Sequence, residues 1–240
     1  MMSGPGHWSA LVSKYELLIF DWDGTLVDSI GRIVESILAA AARCDLPRLD
    51  EDSIKGIIGL GLPEAIAVLY PSITDRSLVE AFRRAYADHY LSLEAEPSAL
   101  YPGVALALQQ FRDQGHQLAV ATGKGRRGLD RVLASQGWSD FFDVTRCADE
   151  TASKPDPLMI HEILAHCGIS PERALMVGDS VFDLEMARRA GIDSVAVSYG
   201  AQPLEVLLSC SPCMVINHFT ELGDWLCSAA SSAEVVANVG

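Results

Sequence analysis

Apolar residues run along this chain in two rhythms. Short, nearly unbroken runs end in turn residues: LLIF (17–20), QLAVAT (117–122), FFDVTR (141–146), ALMVGD (174–179), SVAVSY (194–199) and MVIN (214–217). Runs that are apolar throughout, rather than alternating, suit parallel strands covered on both faces. Between them the spacing becomes helical, over 103–114 after Pro102-Gly103, 126–136, 156–167 with Pro155 and Pro157 at its start, 181–190 before Gly191, and 219–228. Strands and helices in alternation predict an α/β fold, a doubly wound parallel sheet of Rossmann-like form with right-handed crossovers.

The rhythm breaks once. Leu17 and Gln117 open successive predicted strands 100 positions apart, which leaves about 65–70 residues beyond an ordinary crossover. The surplus is helical in pattern. SIGRIVESILAAAARCDL and RSLVEAFRRAYADHYLSL both carry apolar residues at helical spacing, and GLGLPEAIAVLY adds a shorter helix behind a Gly-rich turn. An inserted α-helical cap is therefore expected over 29–98. The discontinuous core is expected over 14–28 and 99–228, with flexible termini at 1–13 and 229–240. Ligands of open α/β sheets bind beyond the carboxyl ends of the strands, so a cap inserted there would cover the site.

Composition narrows the partners. The chain is 240 residues long, 49% hydrophobic and 21% charged, with a net charge of −14. Charge of this sign repels nucleic acid and anionic membrane surfaces, so neither is an expected partner. No apolar run reaches the ~18–20 residues that span a bilayer. The opening MMSGPGHWSALVSK lacks the basic start and apolar centre of a signal peptide. The six cysteines are scattered, with one close pair, CSPC (210–213), and no second pair to complete a zinc site. A cytoplasmic, reduced protein is expected, acting as a monomer or homodimer.

Chemistry gathers at the predicted strand ends. Asp21 and Asp23 follow the first strand; Thr122, Gly123 and Lys124 the second; Asp179, Ser180 and Asp183 the fourth; Lys154 stands in SKPDP before a helix. Any one of these alone is as consistent with a strand end meeting solvent as with chemistry. Four acids, a threonine and two lysines converging on one rim are not. Clustered carboxylates make a hard oxygen site that suits Mg2+, and a cation answers the repulsion between an acidic protein and an anionic substrate. A carboxylate is ionised at neutral pH and can be a nucleophile, while a second carboxylate moves protons. Lysine, a hydroxyl and backbone N–H groups at a helix start can hold phosphoryl oxygens.

DWDGTLVDS, VATGK, SKPDP and GDSVFDLE, in that order, resemble the four motifs of the haloacid dehalogenase-like hydrolase superfamily, and most of all its phosphoglycolate phosphatase-like branch with a helical cap after the first motif. The resemblance spans roughly 14–227. It implies that Asp21 is a nucleophile forming an aspartyl-phosphate and that Asp23 is the general acid/base, its carbonyl also on Mg2+. Thr122 and the Gly123 N–H would bind phosphate, and Lys154 would steady the nucleophile and phosphate. Asp179 would be a Mg2+ ligand and Asp183 a ligand or its support. The acid at Asp23 separates phosphatases and mutases from dehalogenases. Trp22, between the two acids, is expected to turn away into packing. The loop IIGLGLPEAI (57–66) matches the cap loop that the family points at its site, which makes Gly59, Leu60 and Gly61 candidates for substrate specificity or, equally, for a tight turn.

Two further patterns carry less. HEILAH (161–166) places its histidines five apart, about 140° around a helix, so they do not share a metal. GKGRRG (123–128) fits a dinucleotide turn in form, but Asp149 falls late for holding a ribose. Arg126 and Arg127 suit either a solvated helix face or contact with a substrate anion. The expected function is a Mg2+-dependent phosphatase acting on a small phosphorylated metabolite, phosphoglycolate-like or a sugar phosphate. A sugar phosphomutase shares the same core residues, and a phosphate-binding regulatory protein is the alternative from another class.

Overall fold

The computed structural model describes residues 14–93 and 97–228; the termini expected to be flexible otherwise lie outside these residues. Six strands form one parallel sheet, β1 (Leu17–Phe20), β2 (Gln117–Thr122), β3 (Val144–Cys147), β4 (Ala174–Gly178), β5 (Asp193–Val197) and β6 (Met214–Ile216). Their order is β3-β2-β1-β4-β5-β6, so the chain reverses its winding direction where β1 meets β4. That is where open α/β sheets form a crevice beyond the strand ends.

Both faces of the sheet are covered, which is why the strands read as unbroken apolar runs. Successive side chains of a strand point to opposite faces. In β1, Leu18 and Phe20 pack with Leu108 and Phe111 of α5 (Val104–Asp113), Leu129 of α6 (Arg126–Ser135), and Phe219 and Leu222. Leu17 and Ile19 pack on the other face with Met159 and Ile163 of α7 (Leu158–Cys167) and Met186 and Ala187 of α8 (Val181–Ala190).

One strand starts later than its apolar run suggests. Phe141 and Phe142 do not join β3. They cluster with Trp138, whose ring lies 6.3 Å from that of Trp22. Aromatic packing claims both rings, and pairing begins only at Asp143, whose carboxylate accepts from Leu118 N at 2.7 Å. Helix α7 likewise starts two residues late, where Asp156 Oδ1 accepts from Leu158 N at 3.0 Å. The final helix is described over 221–228.

Between β1 and β2 stand the inserted cap helices, α1 (Ile30–Arg43), α2 (Glu51–Lys55), α3 (Leu62–Leu69) and α4 (Arg76–Ser92). They share their own apolar cluster, with Ile33 and Ile37 of α1 packed against Phe82 of α4 and Ile66 of α3. Helix α2 has no counterpart in the apolar pattern. It is a single turn with one buried residue, Ile54, and is started by Asp50, which accepts from Ser53 N at 2.8 Å. Among the described residues no helix is long and apolar enough to cross a membrane.

Candidate active site

The crevice is built from the chain segments that leave β1, β2 and β4. Asp21 N still donates to Val177 O at 3.0 Å, so the first acid stays fixed to β4. The alternation of an extended chain then separates its neighbours. Trp22 is buried among Trp138 and Phe142, while Asp21 and Asp23 face the cavity. Gly24 turns the chain at φ 84°, a conformation that L side chains rarely adopt, and a Cβ there would strike the Asp179 carboxylate. The next residue, Thr25, donates its hydroxyl to Asp179 Oδ1 at 3.1 Å. The tight turn after Asp23 therefore supports an acid at the end of a different strand.

Asp179 follows β4, and its second oxygen accepts from Ala201 N at 2.7 Å. Asp183 sits in the first turn of α8, where Ser180 and Asp183 cap one another reciprocally. Lys154 arrives from the segment before α7 with its side chain fully buried. Its Nζ lies 2.6 Å from both Asp21 Oδ1 and Asp183 Oδ1. Asp21, Asp179 and Asp183 each offer a carboxylate oxygen within 4.8 Å of the others.

Three buried acids against one lysine leave the cluster short of positive charge. Burial pushes the Asp21 carboxyl well above its ordinary range; Lys154 pulls it down, and the charges of Asp183 and Asp179 push it up again. Burial, then the charge of Asp183, raises Asp179 to about 7, against hydrogen bonds from Ala201 and Thr25. Lys154 loses stability as a cation by burial, but Asp183 and Asp21 outweigh this and hold it protonated. Asp21 Oδ2 is buried with no hydrogen-bond partner among the described residues. Buried polar atoms are rarely left so. An all-oxygen donor set with an unpaired carboxylate oxygen and unbalanced negative charge fits a hard divalent cation.

Asp23 looks the other way, toward the cap. Its Oδ1 accepts from the Ser29 hydroxyl at 2.6 Å and pairs with Lys124 Nζ at 2.9 Å. Lys124 also donates to the Tyr90 hydroxyl of α4 at 3.2 Å. Thr122 is buried and accepts from Lys124 N at 3.1 Å. Gly123 lies directly beneath the cap loop: a Cβ there would come within 2.7 Å of the carbonyl oxygens of Gly59 and Leu60. Gly61 N donates to Ser153 Oγ at 2.8 Å, beside Lys154. The loop over 57–66 is thus docked on the core, and Gly59, Leu60 and Gly61 all line the cavity.

That cavity measures about 550 Å3 and lies between α4 of the cap and α6 of the core, with Asp21 and Asp23 among its lining residues. The two arginines left open by the sequence separate here. Arg126 is consumed structurally, its guanidinium on both Glu150 oxygens and on Thr145 Oγ1. Arg127 lines the cavity. Asp149 accepts from Arg126 N at 2.9 Å and so closes the GKGRRG turn itself.

Lys124 stood among the strand-end residues in the sequence, but its pairing with Asp23 and Tyr90 did not show there, and sequence reasoning gave no site role to Thr25, Ser29 or Tyr90. Thr25 and Ser29 flank the acidic pair, so position alone could have flagged both. Tyr90 had no such signal, because its reach depends on how α4 packs on the core.

Residues 18–197 match the model of a family described as haloacid dehalogenase-like hydrolase. A protein named phosphoglycolate phosphatase from Rhodospirillum rubrum is 31% identical over 217 residues, covering 87% of this chain and 90% of that one. One named N-acetylmuramic acid 6-phosphate phosphatase from Pseudomonas aeruginosa is 29% identical, covering 89% and 95%. The crystal structure of a haloacid dehalogenase-like hydrolase from Bacteroides fragilis superposes with a TM-score of 0.80 at 27% identity, covering 87% of this chain and 99% of that one.

Proposed function

The chain belongs to the haloacid dehalogenase-like hydrolase family, as one of its phosphatases, and we propose that it hydrolyses a small phosphorylated metabolite with Mg2+ through an aspartyl-phosphate on Asp21. The observation that carries this reading is the unpaired Oδ2 of Asp21, buried beside Asp179 and Asp183, while Lys154 holds Oδ1. Lys154 fixes this carboxylate on the wall of the cavity, where it can attack phosphorus.

Asp21, Asp179, Asp183 and the Asp23 carbonyl would hold Mg2+, which supplies charge neutralisation for an incoming phosphate dianion. Thr122 and the Gly123 N–H would take the remaining phosphoryl oxygens. Lys154 stays on Asp21 and steadies the negative charge as it shifts. In the first half-reaction a carboxylate oxygen of Asp21 forms a bond to phosphorus. The bond from phosphorus to the substrate's oxygen breaks, and Asp23 gives that oxygen a proton. In the second half, water attacks phosphorus and Asp23 takes its proton. The Asp21–phosphorus bond breaks, releasing phosphate and restoring both acids.

Two relatives with different substrates in their names share this likeness at similar identity, so the choice of metabolite falls to the cap. The test is phosphate release from 4-nitrophenyl phosphate. Turnover with Mg2+, abolished by EDTA and restored by Mg2+, is expected. Undiminished turnover after exhaustive chelation would overturn the metal assignment.

A further inference from the structure

The cavity lined by Asp21 and Asp23 also has basic residues on its walls. Helix α4 of the cap and helix α6 of the core face one another across it and bring four arginines to its walls: Arg83, Arg84, Arg127 and Arg131. In a chain of net charge −14, four guanidinium groups around one cavity are not the background composition. Their surroundings divide them. Arg83 is neutralised by Glu80 at 2.8 Å, and Arg131 has an interaction of its own. Arg84 and Arg127 have no ion-pair or hydrogen-bonding side-chain partner among the described residues. Among the described residues no carboxylate lies within ion-pair distance of either one. Asp149 is occupied by the backbone of Arg126, Glu80 by Arg83, and Asp23 by Lys124 and Ser29. Asp21 is held by Lys154, and Glu64 is the remaining carboxylate on the lining.

The same lining is also apolar in part, through Ile33 and Ile37 of α1, Ile58 and Leu60 of the cap loop, and Leu62 of α3. A volume of about 550 Å3 is in the range of sites for ligands far larger than a two-carbon phosphate ester. Arginine is the side chain best matched to carboxylate and phosphate, through its planar fork of donors.

We infer that Arg84 and Arg127 form a subsite for a second anionic group, and that the substrate is a phosphate monoester whose body of several carbons carries a carboxylate or second phosphate at its far end. This rests on the phosphatase reading of the same site. Arg84 comes from the cap and Arg127 from the core, so such an anion would bridge the two and help hold the cap down over the reacting end.

The test uses the full chain with Mg2+ and two kinds of probe. Hydrolysis is compared for hexyl phosphate, 6-phosphonooxyhexanoate and 1,6-hexanediol bisphosphate, whose leaving oxygens are chemically alike. Binding is compared by calorimetry for the inert heptylphosphonate and 7-phosphonoheptanoate. Wild type is expected to favour the doubly anionic member of each set by about tenfold or more. Preference for the bisphosphate over the carboxylate, or the reverse, identifies the group. Arg84→Gln and Arg127→Gln are each expected to lower binding of 7-phosphonoheptanoate several-fold and that of heptylphosphonate by less than twofold. Equal binding of the two phosphonates to wild type, or equal losses for both in the variants, overturns the subsite. Persistence of the binding preference without hydrolysis of any ester overturns the phosphatase reading instead and leaves the subsite standing.

Discussion

Lys124 Nζ lies 2.9 Å from Asp23 Oδ1, tying the turn after β2 to the turn after β1. Both side chains are about nine-tenths buried, so each is the other's main source of charge balance. Burial disfavours the Lys124 cation, but Asp23, Tyr90 and Tyr86 outweigh it and keep the lysine protonated. Lys124→Met leaves Asp23 with only Ser29. Turnover is expected to fall on the order of tenfold, less than the roughly 10²–10⁴-fold expected for Asp23→Asn if Asp23 moves the protons. Steady-state kinetics of the two variants on one ester compare them directly.

Among the described residues Lys154 is the sole basic residue paired with Asp21 and Asp183. Lys154→Met removes one side of a fully buried ion pair, a change that typically costs about 3–5 kcal/mol. For a domain of this size that corresponds to a fall in Tm on the order of 10 °C. Added Mg2+ should recover more of the loss than it adds to wild type, because the variant has the larger charge deficit. Thermal melts with and without Mg2+ decide this; an equal Mg2+ shift in both proteins would contradict it.

Asp179 gives the metal-free protein one pH-dependent contribution to stability. Its carboxyl is raised from the ordinary range to about 7 in the fold, chiefly by burial, so the folded state binds a proton that the unfolded chain has released. The contribution of Asp179 to stability in EDTA should therefore be greatest at low pH and decline between about pH 4 and 7. Asp179→Asn should flatten that decline, and Mg2+ should oppose it in wild type. Melting curves across this range in EDTA measure both.

Gly123 lies so close to the carbonyls of Gly59 and Leu60 that an added methyl must displace the cap loop. Gly123→Ala should raise KM several-fold while shifting Tm by only a few degrees, since the loop can lift without opening either core cluster. A Tm loss as large as that of Lys154→Met would contradict this account.

Much of the site was legible in the sequence because its physics is local. Asp21, Thr122 and Asp179 sit at ends of apolar runs, and a parallel sheet brings such ends to one edge, so their convergence followed from periodicity, whereas Lys154 ends no such run and was legible only through SKPDP before a helix. What escaped was lateral. Phe141 and Phe142 read as a strand start, yet Trp22 and Trp138 draw both rings into an aromatic cluster. Helix α2 escaped because a single turn with one buried residue has no period. Lys124 and Tyr90 meet only through the packing of α4 on the core, and Arg126 and Arg127, adjacent in sequence, part because neighbouring helix positions face different ways.

The central claim is that Asp21 carries the phosphoryl group. The direct measurement is rapid acid quenching during turnover, followed by mass analysis of the peptide holding Asp21. The account predicts a peptide heavier by one phosphoryl group, with the modification on Asp21, absent without Mg2+ and absent in Asp21→Asn, which should keep its fold and lose its turnover. Substantial turnover by a folded Asp21→Asn, or a phosphoryl group trapped on another residue, would contradict it.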